Sequence, residues 1–422
     1  MKVLWVTSQP IGAAVAKFSY KAASGTWMDP ALKDVAANED VEVSVACLAP
    51  VDEMVVFAES NVTYYCVPRT KKAIYPYKSA KCEQIWKEVL SRANPDIMMV
   101  WGTEYAHGLC ALRMAEGLPS VVIIQGLLST VERYYLADLT AKDLRRAYTF
   151  RNFLKRDSLR QQKRIYAKRA IYEKEILTHA KNVIIENNWE EANIKAHNPG
   201  CVFHEYRLMN NPLFFTKQWK ADECEKFSIF CTAPVGYPIK GFHNVVKALS
   251  IICKEHPETV LRVPGMSDPF KSSFVNKLKR DGYTKHIMNV IEEYGVREHI
   301  QFLGRLDSEQ MAEELLRANV FVLPSALDNT STSLREAMAV GTPSVASYVG
   351  GMPETIIDGK TGRLYRFEEY EQMAYMVLDL MDDPVKAQSM GDAGREYMHR
   401  YLSELSDGKT LISIFKTILS KN

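Results

Sequence analysis

The sequence predicts an α/β protein of two domains, each built on a parallel β-sheet. Its 422 residues exceed what one hydrophobic core usually fills, so two cores are expected. Short apolar runs alternate with stretches of helical period, the pattern of strands joined by right-handed helical crossovers. Gly, Pro or polar clusters close several of the runs and put loops at the strand ends. The composition is globular, with 47% hydrophobic and 25% charged residues. A formal net charge of +2 argues against a general nucleic-acid binder.

Residues 2–7 form the first expected strand, an apolar run too short for the core of a signal peptide. Its loop carries Pro10 and Gly12. A dinucleotide fingerprint needs three spaced glycines there, and only Gly12 is present, which argues against a nicotinamide enzyme. Further strands are expected at 41–47, 62–67, 97–101, 121–125 and 183–186, with helices at 79–91 and 107–116 among them. Ligands of a parallel sheet gather beyond the carboxyl ends of its strands. The polar groups placed there are Gly12, Thr26, Trp27, Glu104, His107 and Gln125, which would line a site on this domain. For His107 a structural role at a helix start and a ligand contact both stand, and Glu104 also fits a helix cap. No run approaches the roughly 18 apolar residues of a membrane helix. Eight scattered cysteines without Cys-x-x-Cys indicate neither a zinc site nor a disulfide framework, and a cytoplasmic location fits.

Residues 142–174 are strongly basic, and Arg145, Arg146, Arg151, Lys155, Arg156 and Arg160 among them are interleaved with Tyr148, Phe150, Phe153 and Leu154. One reading is a pair of solvated amphipathic helices. The other is contact with an anionic membrane surface, at roughly 1 kcal/mol per basic residue. RNA binding is disfavoured because the aromatics are spaced like a helix face rather than a stacking platform. Next comes Glu186-Asn187-Asn188-Trp189, which ends a strand and opens a helix. His204-Glu205-Tyr206-Arg207 then leads into a hinge, and Glu205 with Arg207 also fits a pairing across a turn.

The second domain opens with a strand at 226–232, then Lys240-Gly241 ahead of a helix at 245–253. A strand at 260–263 ends in Pro264-Gly265, and one at 300–304 ends in Gly304-Arg305-Leu306. A strand at 320–323 closes on Pro324, a polar loop covers 328–332, and a helix runs from Ser333 to Gly341 before a strand at 344–347. Exposed amides and the helix dipole suit such a helix start to phosphate. The carboxylates of Asp328 and Glu336 flank it, although Ser333-x-x-Glu336 also fits a capping box in which Glu336 only satisfies a backbone donor.

Pro324-Ser325, an acidic residue, seven residues, Glu336-Ala-Met, then Gly341-Thr-Pro343 and Gly350-Gly-Met-Pro-Glu354 together resemble the donor-site signature of family 4 retaining glycosyltransferases. The resemblance is dense over residues 228–363 and mainly architectural before them. It implies the GT-B architecture: two facing Rossmann-like domains with a central cleft, here 1–208 for the acceptor and 209–395 for the nucleotide sugar, with 396–422 crossing back to the first domain. It implies that Asp328, Glu336 and Lys240 are the catalytic set. The donor would be bound by Lys240, Gly241, Gly265, Gly304, Arg305, Leu306, Asp328, Ser331, Thr332, Ser333, Leu334 and Glu336. The acceptor would meet the first-domain set. Three departures stand out: Asp328 replaces the family's usual Glu, Gln125 its frequent His, and Val235-Gly236-Tyr237 fills the place of an Arg, for which Arg305 is the expected substitute.

The implied reaction moves a sugar from a nucleoside diphosphate, UDP first among them, to a hydroxyl of a glycan or lipid-linked acceptor with retention of anomeric configuration. The resemblance implies a role in cell-surface polysaccharide synthesis. The resemblance implies no cofactor and no metal, and no Asp-x-Asp motif stands out. It places the protein in the cytoplasm, peripheral to the membrane's inner face. The alternatives are a non-catalytic sugar-nucleotide-binding or scaffold protein of the same fold, and a GT-B nucleotide-sugar epimerase.

Overall fold

The computed structural model describes residues 1–20, 27–69, 80–233, 236–271 and 278–421. Thr26 and Val235 lie outside the described residues. The first eight strands are β1 (Lys2–Thr7), β2 (Glu42–Ala49), β3 (Val55–Glu59), β4 (Val62–Pro68), β5 (Ile97–Trp101), β6 (Ser120–Ile123), β7 (Asn182–Ile185) and β8 (Val202–Glu205). They form one sheet in the order β3-β4-β2-β1-β5-β6-β7-β8. All pairings are parallel except β3 with β4.

Side-chain alternation along β1 explains how this sheet is covered. Val3 and Trp5 pack on one face with the helix Met28–Ala36 and the C-terminal helix Gly408–Leu419. Leu4 and Val6 pack on the other with Trp86, Leu109 and Ile176. A parallel sheet buried on both faces reads as continuous apolar runs, which is why these strands were legible in sequence. The β3–β4 hairpin was not expected. Its turn, Ser60-Asn61, has positive φ at both residues (50° and 63°), the geometry that matches strand twist in two-residue hairpins. The edge strand β3 is mostly exposed, so its pattern is weak. β8, read from sequence as part of a hinge, is the opposite edge.

The second sheet contains β9 (Ser228–Cys231), β10 (Val260–Pro264), β11 (Ile300–Gly304), β12 (Val320–Leu323), β13 (Ser344–Ser347) and β14 (Arg363–Tyr365). Its order is β11-β10-β9-β12-β13-β14, parallel throughout. The strands β9, β12 and β13 are buried at every residue.

The chain divides into two compact units: Met1–Thr130 with Tyr166–Met209 and Leu402–Asn422, and Val131–Ile165 with Asn210–Tyr401. The second sheet and the stretch before it thus gather one arm, 131–165, from the first half of the chain. Long-range contacts fasten it: His243 Nε2 meets Asp138 Oδ1 at 2.5 Å, Lys285 donates to the Tyr148 carbonyl at 2.8 Å, and Arg146 pairs with Glu293 at 3.0 Å. Such pairs, more than a hundred residues apart, leave no local pattern. At the other end, 402–422 joins the first unit through the helix Gly408–Leu419, capped by Asp407 and packed on Met28–Ala36. No helix among the described residues is long and apolar enough to cross a membrane. None of the eight cysteines, all among the described residues, is in a disulfide.

Candidate functional site

In an open parallel sheet the crevice forms where successive crossovers leave in opposite directions. In the second sheet that point lies between β9 and β12, and the loops after these two strands carry the motif residues. Lys240 Nζ donates to Asp328 Oδ2 at 2.7 Å, and Ser325 Oγ donates to the same oxygen at 3.1 Å. The pair is partly exposed, with the lysine the more open of the two. A cation is therefore held at the strand ends by a carboxylate it can leave when an anionic ligand arrives.

Two glycines make this approach possible. Gly241 has φ +69°, and a Cβ there would stand 1.8 Å from the Pro324 carbonyl oxygen. Ala326 N–H bonds the Ile239 carbonyl at 2.7 Å, so the Lys240 turn is laid directly on the end of β12. Gly350 has φ +53°, and its Cβ would stand 1.8 Å from the Asp328 carbonyl oxygen. Gly351 N–H donates to that oxygen at 3.2 Å. The glycines of Lys240-Gly241 and Gly350-Gly351 thus set the positions of Lys240 and Asp328.

The helix Thr332–Val340 begins beside them. Its N-cap is Ser331, whose hydroxyl accepts from Leu334 N–H at 3.3 Å. This corrects the capping-box expectation: Ser333 is the second helical residue, and Glu336 is the fifth. The Ser333 hydroxyl instead accepts from Thr232 Oγ1 at 2.8 Å and lies 3.2 Å from Ser331 Oγ. Glu336 is half-buried, and burial pushes its carboxyl up to about 7 against the lowering effect of Arg335. The Thr332 and Ser333 amides belong to the first helical turn, where no intrahelical acceptor exists.

On the neighbouring strands, Gly265 N–H bonds the Gly304 carbonyl at 2.5 Å and Gly304 N–H bonds the Met266 carbonyl at 3.0 Å, which ties the ends of β10 and β11 together. Arg305 is exposed and Leu306 half-buried just beyond. Thr232 and Ser325 were missed as site residues, although both stand where strands end. Missed too is a chain, Asp138–His243–Tyr283, buried at His243 and Tyr283, in which His243 Nδ1 meets Tyr283 Oη at 2.9 Å and Asp138 is held well below the usual carboxylate range: burial pushes it up, and the bond to His243 and nearby positive charge, Lys247 included, together outweigh that push. Asp138 comes from the arm, so no spacing announced it.

The first-sheet set separates into parts. Glu104 and Gln125 converge over Gly102: a Cβ there would lie 2.0 Å from Glu104 Oε2 and 2.9 Å from Gln125 Oε1. Glu104 is half-buried, and burial, with help from Glu173, raises it to about 7 despite Arg169. Arg169 donates to the Glu104 carbonyl at 2.8 and 3.1 Å, and the buried Glu173 accepts from Thr103 Oγ1, Leu128 N–H and Ser129 N–H. His107 is buried in the first turn of Ala106–Met114, and neither ring nitrogen has a hydrogen-bond partner among the described residues. Burial lowers it to about 3, so it is neutral. Gly12 stands elsewhere: its N–H is taken by Asp29 Oδ1 at 2.7 Å, and it lines a cavity of about 470 Å³ with Leu32 and Tyr64. Trp27 is half-buried at the start of Met28–Ala36.

The stretch at the end of β7 also has a local explanation. Glu186 accepts from Leu208 N–H at 2.9 Å, and Asn187 caps the helix Asn188–Lys195. Arg207 pairs with Glu404 at 3.3 Å.

Residues 215–397, which contain the second sheet, match the family model of Glycosyl transferases group 1. A GDP-mannose-dependent alpha-(1-6)-phosphatidylinositol monomannoside mannosyltransferase of Mycolicibacterium smegmatis is 29% identical over 167 residues, 38% of this chain and 40% of that protein. A D-inositol 3-phosphate glycosyltransferase of Streptomyces coelicolor is 30% identical over 39% of this chain and 35% of its own length. The chain thus matches about two fifths of the length of these curated relatives. Among solved structures, sucrose-phosphate synthase from Thermosynechococcus elongatus is similar over 100% of both chains, with a TM-score of 0.71 at 18% identity. Anabaena Alr3699/HepE, solved in complex with UDP, has a TM-score of 0.65 at 15% identity over 100% of both. At these identities the likeness is one of fold, and the fold is GT-B.

Proposed function

We propose that this protein is a retaining glycosyltransferase that moves a sugar from a nucleoside diphosphate to a hydroxyl of a glycan or lipid-linked acceptor, in the building of cell-surface polysaccharide. The observation that carries the reading is the Lys240–Asp328 pair at the switch point of the second sheet, 2.7 Å apart beside the start of the helix Thr332–Val340. The match of residues 215–397 to Glycosyl transferases group 1 supports it.

In the proposed reaction Lys240 leaves Asp328 for the donor diphosphate, and the Thr332 and Ser333 amides take the oxygens that gain charge as the sugar departs. Asp328, released, holds hydroxyls of the transferred sugar. Glu336 holds the ribose hydroxyls, and the strand ends at Gly265 and Gly304-Arg305-Leu306 take the base and the far phosphate. Arg305 is exposed and therefore free to swing to an anion. The leaving phosphate accepts the acceptor's proton on the face it vacates, which retains the configuration. On the first unit, Glu104 and Gln125 are the proposed acceptor contacts. His107, neutral through burial, is suited to donate a hydrogen bond rather than a charge. UDP is the first nucleotide to test, since the Anabaena neighbour was solved with it. The basic stretch 142–174 would bring the protein to an anionic membrane surface on the cytoplasmic side.

The test is a thermal-shift panel of UDP, GDP and ADP followed by transfer or donor hydrolysis with the matching sugar nucleotides. At roughly 100 times its dissociation constant a nucleotide stabilises by about 2.7 kcal/mol. Absence of a shift with every nucleotide overturns the reading. A shift without any turnover would instead assign a sugar-nucleotide-binding protein of this fold. An inverted product, by NMR of the anomeric proton, removes the retaining mechanism.

A further inference from the structure

The six-residue helix Phe150–Lys155 on the arm 131–165 is built inside out. Its one buried residue is polar: Asn152, 1% exposed, accepts from Thr149 N–H at 3.1 Å and donates to Asp157 Oδ1 at 2.8 Å. Its apolar residues face outward. Phe150, Phe153 and Leu154, at i, i+3 and i+4, are 60%, 67% and 63% exposed and share one side of the turn. A helix serving only its own fold places these groups the other way round. Contiguous exposed apolar surface of this kind marks an interaction site.

The charges around it have a matching character. Arg145, Lys155, Arg156 and Arg160 are exposed and make no ion pair among the described residues, whereas Arg146 and Arg151 on the same arm are paired with Glu293 and Asp157. Where residues 144–148 and 158–160 of the arm flank this turn lies a cavity of about 390 Å³, lined by Leu144, Arg145, Tyr148, Ser158, Leu159 and Arg160. Its walls are apolar and two guanidinium groups stand at it, the combination that suits a phosphodiester attached to a hydrocarbon chain.

We propose that this face docks the protein on the anionic surface of a phospholipid bilayer. Phe150, Phe153 and Leu154 enter the interface, Lys155, Arg156 and Arg160 meet the head groups, and one anionic lipid head group sits between Arg145 and Arg160. The inference deepens the membrane-associated reading given above and rests on it. It also assigns the contact to the unit that carries the Lys240–Asp328 site, since the arm belongs to that unit.

The experiment is vesicle co-sedimentation of the full chain with phosphatidylcholine alone and with phosphatidylcholine containing roughly one third phosphatidylglycerol. Two triple variants are compared: Phe150→Ser with Phe153→Ser and Leu154→Ser, and Lys155→Ser with Arg156→Ser and Arg160→Ser. All six side chains are exposed, so melting temperatures should stay close to that of the parent. The parent is expected to bind anionic vesicles and not neutral ones. The basic variant should lose about 100-fold in partition, and the apolar variant at least tenfold. Inorganic phosphate at millimolar concentration should not release the parent from vesicles. Equal binding to both vesicle types, no binding to either, or unchanged binding by both variants overturns the proposal. So does a self-associated parent that the apolar variant turns monomeric with no vesicle binding, which assigns the face to a second copy of the chain. The nucleotide thermal shift is read on the same samples. If it persists while vesicle binding fails, docking alone falls; if it is absent in the parent, the transferase reading falls.

Discussion

Glu336→Gln separates the structural and the functional meaning of the carboxylate that sequence alone leaves ambiguous. Burial raises this carboxyl from 4.5 to about 7, so the folded chain binds its proton more tightly than the unfolded chain does. The stabilisation is complete below the unfolded value and is lost as pH rises through about 7. One pKa unit corresponds to about 1.36 kcal/mol, and after allowance for partial exposure the ionised carboxylate costs about 1–3 kcal/mol in the ligand-free fold. Glutamine has the same shape and no proton to lose. Urea midpoints of the two proteins should therefore nearly coincide at about pH 4, with the variant more stable by about 1–3 kcal/mol at about pH 8.5. In the same buffer the variant should bind the donor nucleotide roughly 10–100-fold more weakly, the size of a lost charge-assisted hydrogen bond. A gain in stability coupled to a loss of affinity is the signature of a group held for its ligand. A stability difference that is flat with pH refutes the burial argument. Unchanged nucleotide affinity refutes the ribose contact.

Three other substitutions probe separate parts of the structure. Lys240→Ala should lower kcat/KM about 10–100-fold while moving the denaturation midpoint little, because its ion pair with Asp328 is partly exposed; a stability loss as large as the activity loss would mean a structural lysine. Gly350→Ala places a Cβ 1.8 Å from the Asp328 carbonyl at a positive φ and should cost at least about 2 kcal/mol, measured by urea unfolding, along with nucleotide affinity. Glu173→Leu removes the acceptor of the Leu128 and Ser129 amides and the Thr103 hydroxyl in the first unit, and should cost about 3 kcal/mol by the same assay; a neutral effect would show that water replaces it.

Several elements were readable with little error. The expected strands at 2–7, 97–101, 300–304, 320–323 and 344–347 coincide with β1, β5, β11, β12 and β13. Four of them, β1, β5, β12 and β13, are largely buried, so their apolar runs are nearly unbroken; β11, an edge strand buried only at Ile300, was legible from the turn at Gly304. The hairpin strand β3 lies at a sheet edge, where exposed side chains blur the pattern, and β14, at the edge of the second sheet, is only three residues long. The capping register of the helix Thr332–Val340 was misread by two residues, because Ser331 and Ser333 are equally good caps by type. The choice of Ser331 leaves Ser333 free to meet Thr232.

What the sequence by itself determined is the kind of fold and the chemical identity of the residues at the strand ends of the second sheet. Periodicity and turn chemistry are local, and a motif carries its residues in one short stretch. Tertiary structure alone decided which groups meet. Lys240 reaches Asp328 across 88 positions because two glycines admit a backbone contact that any Cβ would block. The arm 131–165 lies on the second unit because Asp138, Tyr148 and Arg146 find partners more than a hundred residues away. Its exposed apolar turn follows from the same cause. Once Asn152 is buried against its own Asp157, the helix has only one side left to show, and that side carries Phe150, Phe153 and Leu154.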